Sequence, residues 1–137
     1  MQRRSREWST RRAFRTRRTV LLLFVLSLGY LASAYGPAYW GYLRMLIAVR
    51  AAASAAAAEP WELMPQLEQA KEAWSDQVSA AALAAGVPLV DDAISIEQVG
   101  AEAVVRAAWR VPVIYRFIGL RHTLEFQIES RQPFAQK

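Results

Sequence analysis

The stretch TRRAFRTRRTVLLLFVLSLGYLASA, which runs from Thr10 to Ala34, decides the fold of this protein. It begins with clustered arginines, continues as an apolar run and ends in small residues. Residues 19–43 contain no charged side chain. As a helix they would extend roughly 37 Å, enough to cross a hydrocarbon core of about 30 Å. The pattern predicts a transmembrane helix over residues 19–43.

The basic residues are concentrated before this helix. Residues 1–18 hold eight arginines and one acid, whereas the rest of the chain carries nine basic and eleven acidic residues. Because Lys and Arg beside a span stay in the cytoplasm, we predict a single-pass protein with residues 1–18 as a cytoplasmic head. The arginines nearest the span are expected to bind lipid headgroups or a cytoplasmic protein partner: Arg11, Arg12, Arg15, Arg17 and Arg18. Nucleic acid is not expected as a partner, because so short an arm would bind it weakly.

The second half of the apolar run combines aromatic and small residues. Tyr and Trp rings favour the membrane interface, where a polar tip meets water and the ring body stays in an apolar layer. Small residues let a neighbouring helix approach closely. We therefore predict a membrane or partner interface formed by Gly29, Tyr30, Ala32, Ser33, Tyr35, Pro37, Tyr39, Trp40 and Tyr42. The expected partners are membrane lipid and another protein of a membrane complex.

A cleaved signal peptide is the alternative interpretation of the same stretch. Thr10–Phe14 resembles a twin-arginine export motif, and Ala32–Ala34 has the form that signal peptidases cut. Cleavage after Ala34 would release a soluble periplasmic binding domain. We favour a retained anchor, because Tyr35–Val49 is also largely apolar and would make a poor N-terminus for a soluble protein.

After the span, residues 44–59 form an alanine-rich stretch that predicts a juxtamembrane helix. Gly36 and Pro37 are expected to kink the helix near the outer membrane surface. The run Ala51–Ala58 is interpreted as a spacer helix or as a face that packs against its own domain. A face for a partner helix is the alternative.

A second, amphipathic helix is predicted between Gln66 and Ala85. Pro65 suits its first turn, and Gly86 suits its C-terminal end. Its apolar stripe has i, i+3, i+4, i+7 spacing and consists of Leu67, Ala70, Trp74, Val78, Ala81 and Ala85. A helix with this pattern needs an apolar surface to cover.

The pattern then changes to a period of two residues, which predicts three antiparallel strands with one face under the amphipathic helix. Pro112 cannot donate to a strand ladder, so it marks an edge position or a bulge. The predicted fold class is α+β: a kinked helix that begins as a transmembrane span, an amphipathic helix and a three-stranded sheet. Residues 60–131 form the small periplasmic domain, and residues 132–137 form a tail.

Four stretches together resemble a known group of proteins: GPAYWGYLRMLIAVRAA from residue 36, LAAGVPLVDDAISIEQVG from 83, VVRAAWRVPVIYRF from 104 and LEFQIES from 124. Over residues 19–130 the chain resembles small single-span bacterial envelope proteins that are catalogued as a domain of unknown function. They are pilin-like in outline, with a long N-terminal helix and a small antiparallel sheet. The resemblance implies a bacterial inner membrane, a periplasmic C-terminal domain and no catalytic residue. Where a prepilin has a glycine cleavage site, this chain has Arg17, Arg18 and Thr19, so a filament subunit is not expected.

The residues that carry chemistry are sparse. There is no cysteine, and the one histidine, His122, is expected to be half-buried on the apolar face of the last strand. Asp91 and Asp92 suit a turn. Glu125 and Glu129 are expected to pair across strands with Arg106, Arg110 or Arg116. We predict no catalytic, metal or cofactor site. The expected function is that of a non-enzymatic accessory protein, a subunit or stabilising factor of an inner-membrane complex, with a pilin-like subunit of an envelope machine as an alternative.

Overall fold

The computed structural model describes the backbone of residues 4–90 and 92–135, and their side chains from residue 15 onward. The elements are α1 (Arg4–Ala56), a 3₁₀ turn (Trp61–Leu63), α2 (Leu67–Ala85), β1 (Ile94–Val99), β2 (Glu102–Tyr115) and β3 (Leu120–Pro133). The predicted α+β class is confirmed. The chain divides into two compact units, Met1–Gly36 and Pro37–Lys137. We call the second the C-terminal unit.

Helix α1 provides the apolar segment. From Arg15 to Ala56 it is long and apolar enough, by length and composition, to cross a membrane, and none of its most apolar window is buried. A signal sequence near an N-terminus would satisfy the same criterion. The helix continues on both sides of Pro37, which has no N–H to donate within it. The predicted span and juxtamembrane helix therefore form one continuous helix.

The second half of α1 belongs to the core of the C-terminal unit. Its fully buried side chains recur at helical spacing and are Met45, Val49, Ala52, Ala53 and Ala56. The first four of these pack in one cluster with residues of α2 and the sheet, among them Val78 and Val105. The alanine-rich run thus packs against its own domain, which is one of the two roles that the sequence favoured.

Helix α2 follows the predicted stripe, since Val78 is buried and the other stripe residues are half-buried. It ends as expected at Gly86, whose φ of 69° is in the left-handed region. The N–H of Gly86 donates to the carbonyl oxygen of Leu83 at 3.1 Å, and that of Val87 donates to Ala82 at 2.8 Å. Pro65 lies before the helix rather than in its first turn, because α2 begins at Leu67.

The three strands are antiparallel in the order β1-β2-β3. Strand β1 pairs with β2 only as far as Ala107, whereas β3 pairs with β2 along its whole length, up to Tyr115 opposite Leu120. The distal part of β2, including Pro112, therefore has β3 on one side and an open edge on the other. This agrees with the predicted edge position of Pro112.

A second core cluster is centred on Trp61. Its indole Nε1 donates a hydrogen bond to the carbonyl oxygen of Ala56 at 2.8 Å. Its ring stacks on Trp74 with 6.1 Å between centroids and meets Phe134 edge-on at 5.7 Å. The backbone N–H of Phe134 donates to Ala101, and the next residue donates to Ala57. The segment predicted as a tail thus includes the end of β3 and an aromatic residue in contact with the core.

Candidate interaction surfaces

Within the C-terminal unit, α1 has two apolar faces. One packs on the sheet, as described above. The other carries Trp40, Leu43 and Ile47, which are 58%, 50% and 70% exposed. We call these three residues the outer stripe. Their i, i+3, i+7 spacing places them along one side of the helix, and the guanidinium of Arg44 lies 5.3 Å from the ring centre of Trp40.

Three aromatic residues of the predicted interface, Tyr39, Trp40 and Tyr42, are divided between these two faces. The ring of Tyr39 meets Phe126 edge-on at 5.8 Å, and Tyr42 lies 5.7 Å from Phe126 and 6.3 Å from Trp109. Trp109 and Phe126 stack with 5.4 Å between centroids. Tyr42 is therefore half-buried in an aromatic cluster of its own domain, whereas Trp40 faces outward.

The remaining predicted interface residues lie from position 29 to position 37 of α1. Gly29, Ala32, Ser33 and Pro37 are exposed, and Tyr30 and Tyr35 are half-buried. The hydroxyl of Ser33 donates to the carbonyl oxygen of Tyr30 at 2.8 Å. A Cβ added at Gly29 would meet nothing within 4 Å. At Gly29, α1 thus leaves room for the close approach of another helix.

The arginines of the predicted headgroup site are placed only in part. The side chains of Arg15, Arg17 and Arg18 are exposed. The side chains of Arg11 and Arg12 lie outside those that the structure describes.

Charged side chains cover the sheet face opposite the helices. Arg106 on β2 donates from Nε to Glu129 on β3 at 2.6 Å and from its Nη1 to Glu97 on β1 at 3.1 Å. Arg131 also donates to Glu129. Farther along the same strands, Nε of Arg110 lies 2.8 Å from Oε1 of Glu125. The predicted cross-strand pairing is therefore confirmed for Arg106 and Arg110.

These ion pairs affect protonation at the centre of the network. Hydrogen bonds from Arg106 and Arg131 hold the pKa of Glu129 below its usual value, and the hydrogen bond to Glu129 raises the pKa of Arg106. Because the groups are exposed, the pairs are expected to contribute little to stability individually. We interpret them as a solvated face that keeps the three strands in register.

The residues with catalytic or metal-binding potential are His122 and the acidic side chains. Among the described residues, no group of three or more His, Asp or Glu could hold a metal ion. His122 is exposed rather than half-buried, opposite Val113 on β2. Asp92 has a φ of 65° in a turn, as suits an aspartate that favours local backbone hydrogen bonds. Its neighbour Asp91 lies outside the described residues.

One surface was missed by the sequence reasoning: the end of the hairpin formed by β2 and β3. We call residues 114–121 the hairpin tip. Its exposed apolar side chains are Ile114, Phe117, Ile118 and Leu120. The turn closes with Gly119, whose N–H donates to the carbonyl oxygen of Tyr115 at 2.9 Å. A Phe-Ile pair between arginines was the available signal, because turn positions usually carry polar residues, Gly or Pro.

No family model matches the chain, and no curated protein and no solved structure matches it. The resemblance noted above is therefore one of outline, a long N-terminal apolar helix followed by a small three-stranded antiparallel sheet, and no family is identified. The fold defines the class of protein. It is an α+β domain whose first helix, α1, also includes an apolar segment of membrane-spanning length.

Proposed function

We propose that this protein is a non-enzymatic, single-pass membrane accessory protein that binds as a subunit or assembly factor of a larger membrane complex. The observation that carries this proposal is the outer stripe. Trp40, Leu43 and Ile47 are exposed on a helix whose opposite face already forms the core of the domain. An apolar helical face of this kind is what docks into a groove or against a neighbouring helix of another protein.

The proposed location is the inner membrane of a bacterium. The apolar segment would span the membrane, and the arginine-rich head would remain in the cytoplasm because of its charge. The C-terminal unit would then lie in the periplasm. Arg15, Arg17 and Arg18, whose side chains are exposed, would bind anionic headgroups on the cytoplasmic side.

The exported, soluble domain is the second candidate, and one observation favours it. The C-terminal unit begins at Pro37, just after the candidate cleavage point at Ala34. Cleavage there would leave the whole unit intact. Ala38, Met45 and Val49 are buried in it, so the sequence argument against an apolar new N-terminus applies mainly to the outer stripe and the exposed Tyr39.

The proposed binding face can be tested by photo-crosslinking in native membranes. A benzophenone amino acid would replace Leu43 or Ile47 in the outer stripe, or, as a control, the exposed Glu72 of α2. The two stripe positions should give the same discrete protein adduct, and position 72 should give none. Absence of a protein adduct at both stripe positions, in chains that accumulate normally, would contradict the proposal.

Paired substitutions test the same face by a different measurement. Leu43→Gln with Ile47→Gln should abolish recovery of the crosslinked partner in mild detergent, because each buried aliphatic side chain contributes about 1.5–3 kcal/mol. Leu83→Gln is the matched control, since Leu83 is an exposed leucine on α2 and is not part of the stripe. Equal recovery with the stripe variant and the control would count against the outer stripe as the docking face.

A further inference from the structure

We infer that the hairpin tip inserts into the headgroup layer of an anionic lipid bilayer. The first ground is its apolar surface. Phe117 is 89% exposed and Ile118 is 67% exposed, at the turn between two strands. Ile114 and Leu120, at the strand ends beside the turn, are also exposed and lie on opposite faces of the hairpin. Large apolar side chains with this degree of exposure are expected where a protein meets another apolar phase.

The second ground is charge. Arg116 and Arg121 flank the apolar side chains, and neither has an ion-pair partner in the described part of the chain. Residues 111–123 contain no acid. The next arginine along β2, Arg110, is instead paired with Glu125. Apolar side chains flanked by arginines fit a surface that has anionic groups above an apolar layer. That is the chemistry of an anionic lipid interface.

The third ground is the position of the tip within the C-terminal unit. Helix α1 and strand β2 run in opposite directions: Tyr42 contacts Trp109, whereas Ala56 clusters with Ala103. Residues with lower numbers on α1 therefore lie beside residues of β2 that are nearer the hairpin tip. The tip thus lies toward the end of this unit at which the chain enters it, at Pro37. β2 continues for roughly 20 Å past Trp109 toward the tip.

This inference goes beyond the proposed function, because a chain cleaved after Ala34 would keep the same tip. The test uses the full chain in lipid vesicles, where no protein partner is present. Since the sequence contains no cysteine, a single Ile118→Cys substitution can carry an environment-sensitive fluorophore. Leu83→Cys on α2 provides a matched control at an exposed apolar position.

In vesicles that contain phosphatidylglycerol, the fluorophore at position 118 should emit at shorter wavelength than the one at position 83. Lipids that carry a shallow nitroxide should quench it, and aqueous iodide should quench it several-fold less than the control. Circular dichroism of both labelled chains checks that they are folded. A fluorophore at 118 that is as accessible to iodide as the one at 83 would overturn the inference.

The arginines provide a second measurement. With the fluorophore at 118, Arg116→Gln and Arg121→Gln should each weaken tip insertion about fivefold in phosphatidylglycerol vesicles and have little effect in phosphatidylcholine alone. Arg110→Gln should have a smaller effect, because its guanidinium already pairs with Glu125. Equal effects in both lipids would contradict the proposed role of anionic headgroups.

Native membranes separate a lipid occupant from a protein occupant. Protection of position 118 in native membranes but not in vesicles would mean that a protein covers the tip, and the inference would be wrong. Insertion in vesicles together with failed crosslinking from the outer stripe would refute the proposed function alone.

Discussion

Gly41 shows how closely α1 approaches its own domain. It is buried, and an added Cβ would lie 2.9 Å from Cγ2 of Val87, in the segment that follows α2. Valine is short and branched at Cβ, so it cannot easily rotate away. The absence of a side chain at position 41 therefore lets the helix pack against the segment that follows α2.

Gly41→Ala should lower the free energy of unfolding by about 1 kcal/mol. Overpacking costs about 1–3 kcal/mol, and the higher helix propensity of alanine offsets about 1 kcal/mol of that. Urea unfolding of the full chain in detergent, followed by tryptophan fluorescence, measures the difference. In Val87→Ala the close contact is absent, so the two substitutions should be less than additive. Stabilisation by Gly41→Ala alone would contradict the contact.

Trp61 combines a buried hydrogen bond with an aromatic contact at the junction of α1, α2 and β3. Trp61→Phe keeps a ring but leaves the carbonyl of Ala56 without its indole donor, which should cost about 1–3 kcal/mol. Trp61→Ala should cost about 3–5 kcal/mol. Trp40→Phe is the control: Trp40 is exposed, so its effect should stay within about 0.5 kcal/mol. Similar losses at positions 40 and 61 would refute this ranking.

At the scale of elements, the charged network joins all three strands through Arg106 and Glu129. The pKa of Glu129 is lower in the folded protein than in the unfolded chain, where it is about 4.3. The stabilisation from its pairing is therefore present above the pKa of the unfolded chain. It is lost as the pH falls through the lower pKa of the folded protein. Arginine remains protonated throughout this range, so it adds no pH dependence there.

Glu129→Gln should therefore destabilise the sheet at neutral pH, and the difference from the native chain should shrink once the pH falls below about 4. Urea unfolding at a series of pH values measures this difference. Glu125→Gln is the control, because Glu125 pairs with a single arginine, Arg110, at the edge of the network. A difference that is independent of pH would mean that Glu129 acts by packing rather than by charge.

At the scale of the whole molecule, cleavage or retention of the bond after Ala34 decides whether the C-terminal unit is released or stays attached to the apolar segment. If the apolar segment is retained as an anchor, as we propose, the chain extracted from native membranes should have the mass of the full 137 residues. Intact-mass spectrometry measures this. Ala34→Leu removes the small residue that a signal peptidase requires. The mass of this variant should therefore differ from that of the native chain only by the substitution. A native chain that begins at Tyr35, restored to full length by Ala34→Leu, would establish the exported domain instead.

The sequence by itself determined the elements of this protein. The apolar run and the alanine-rich stretch after it predicted α1 from residue 19 onward, though not its first turns from Arg4, the stripe from Leu67 to Ala85 predicted α2, and period-two alternation predicted the three strands. Gly86 and Pro112 predicted a helix end and a strand edge. These features depend on side chains close together in the sequence and on the backbone freedom of single residues, so periodicity and turn chemistry are sufficient to find them.

Tertiary structure alone decided which side of α1 is covered. Tyr42 packs on Trp109 and Phe126 while Trp40 faces outward, although both lie in one aromatic run. Only the tertiary structure likewise decided that His122 and the apolar side chains at the hairpin tip are exposed. The physical reason is that burial depends on partners far away in the chain. The covered side of α1 is set by strands that begin only at Ile94, long after α1 ends at Ala56, and β1 is too short to cover the distal part of β2.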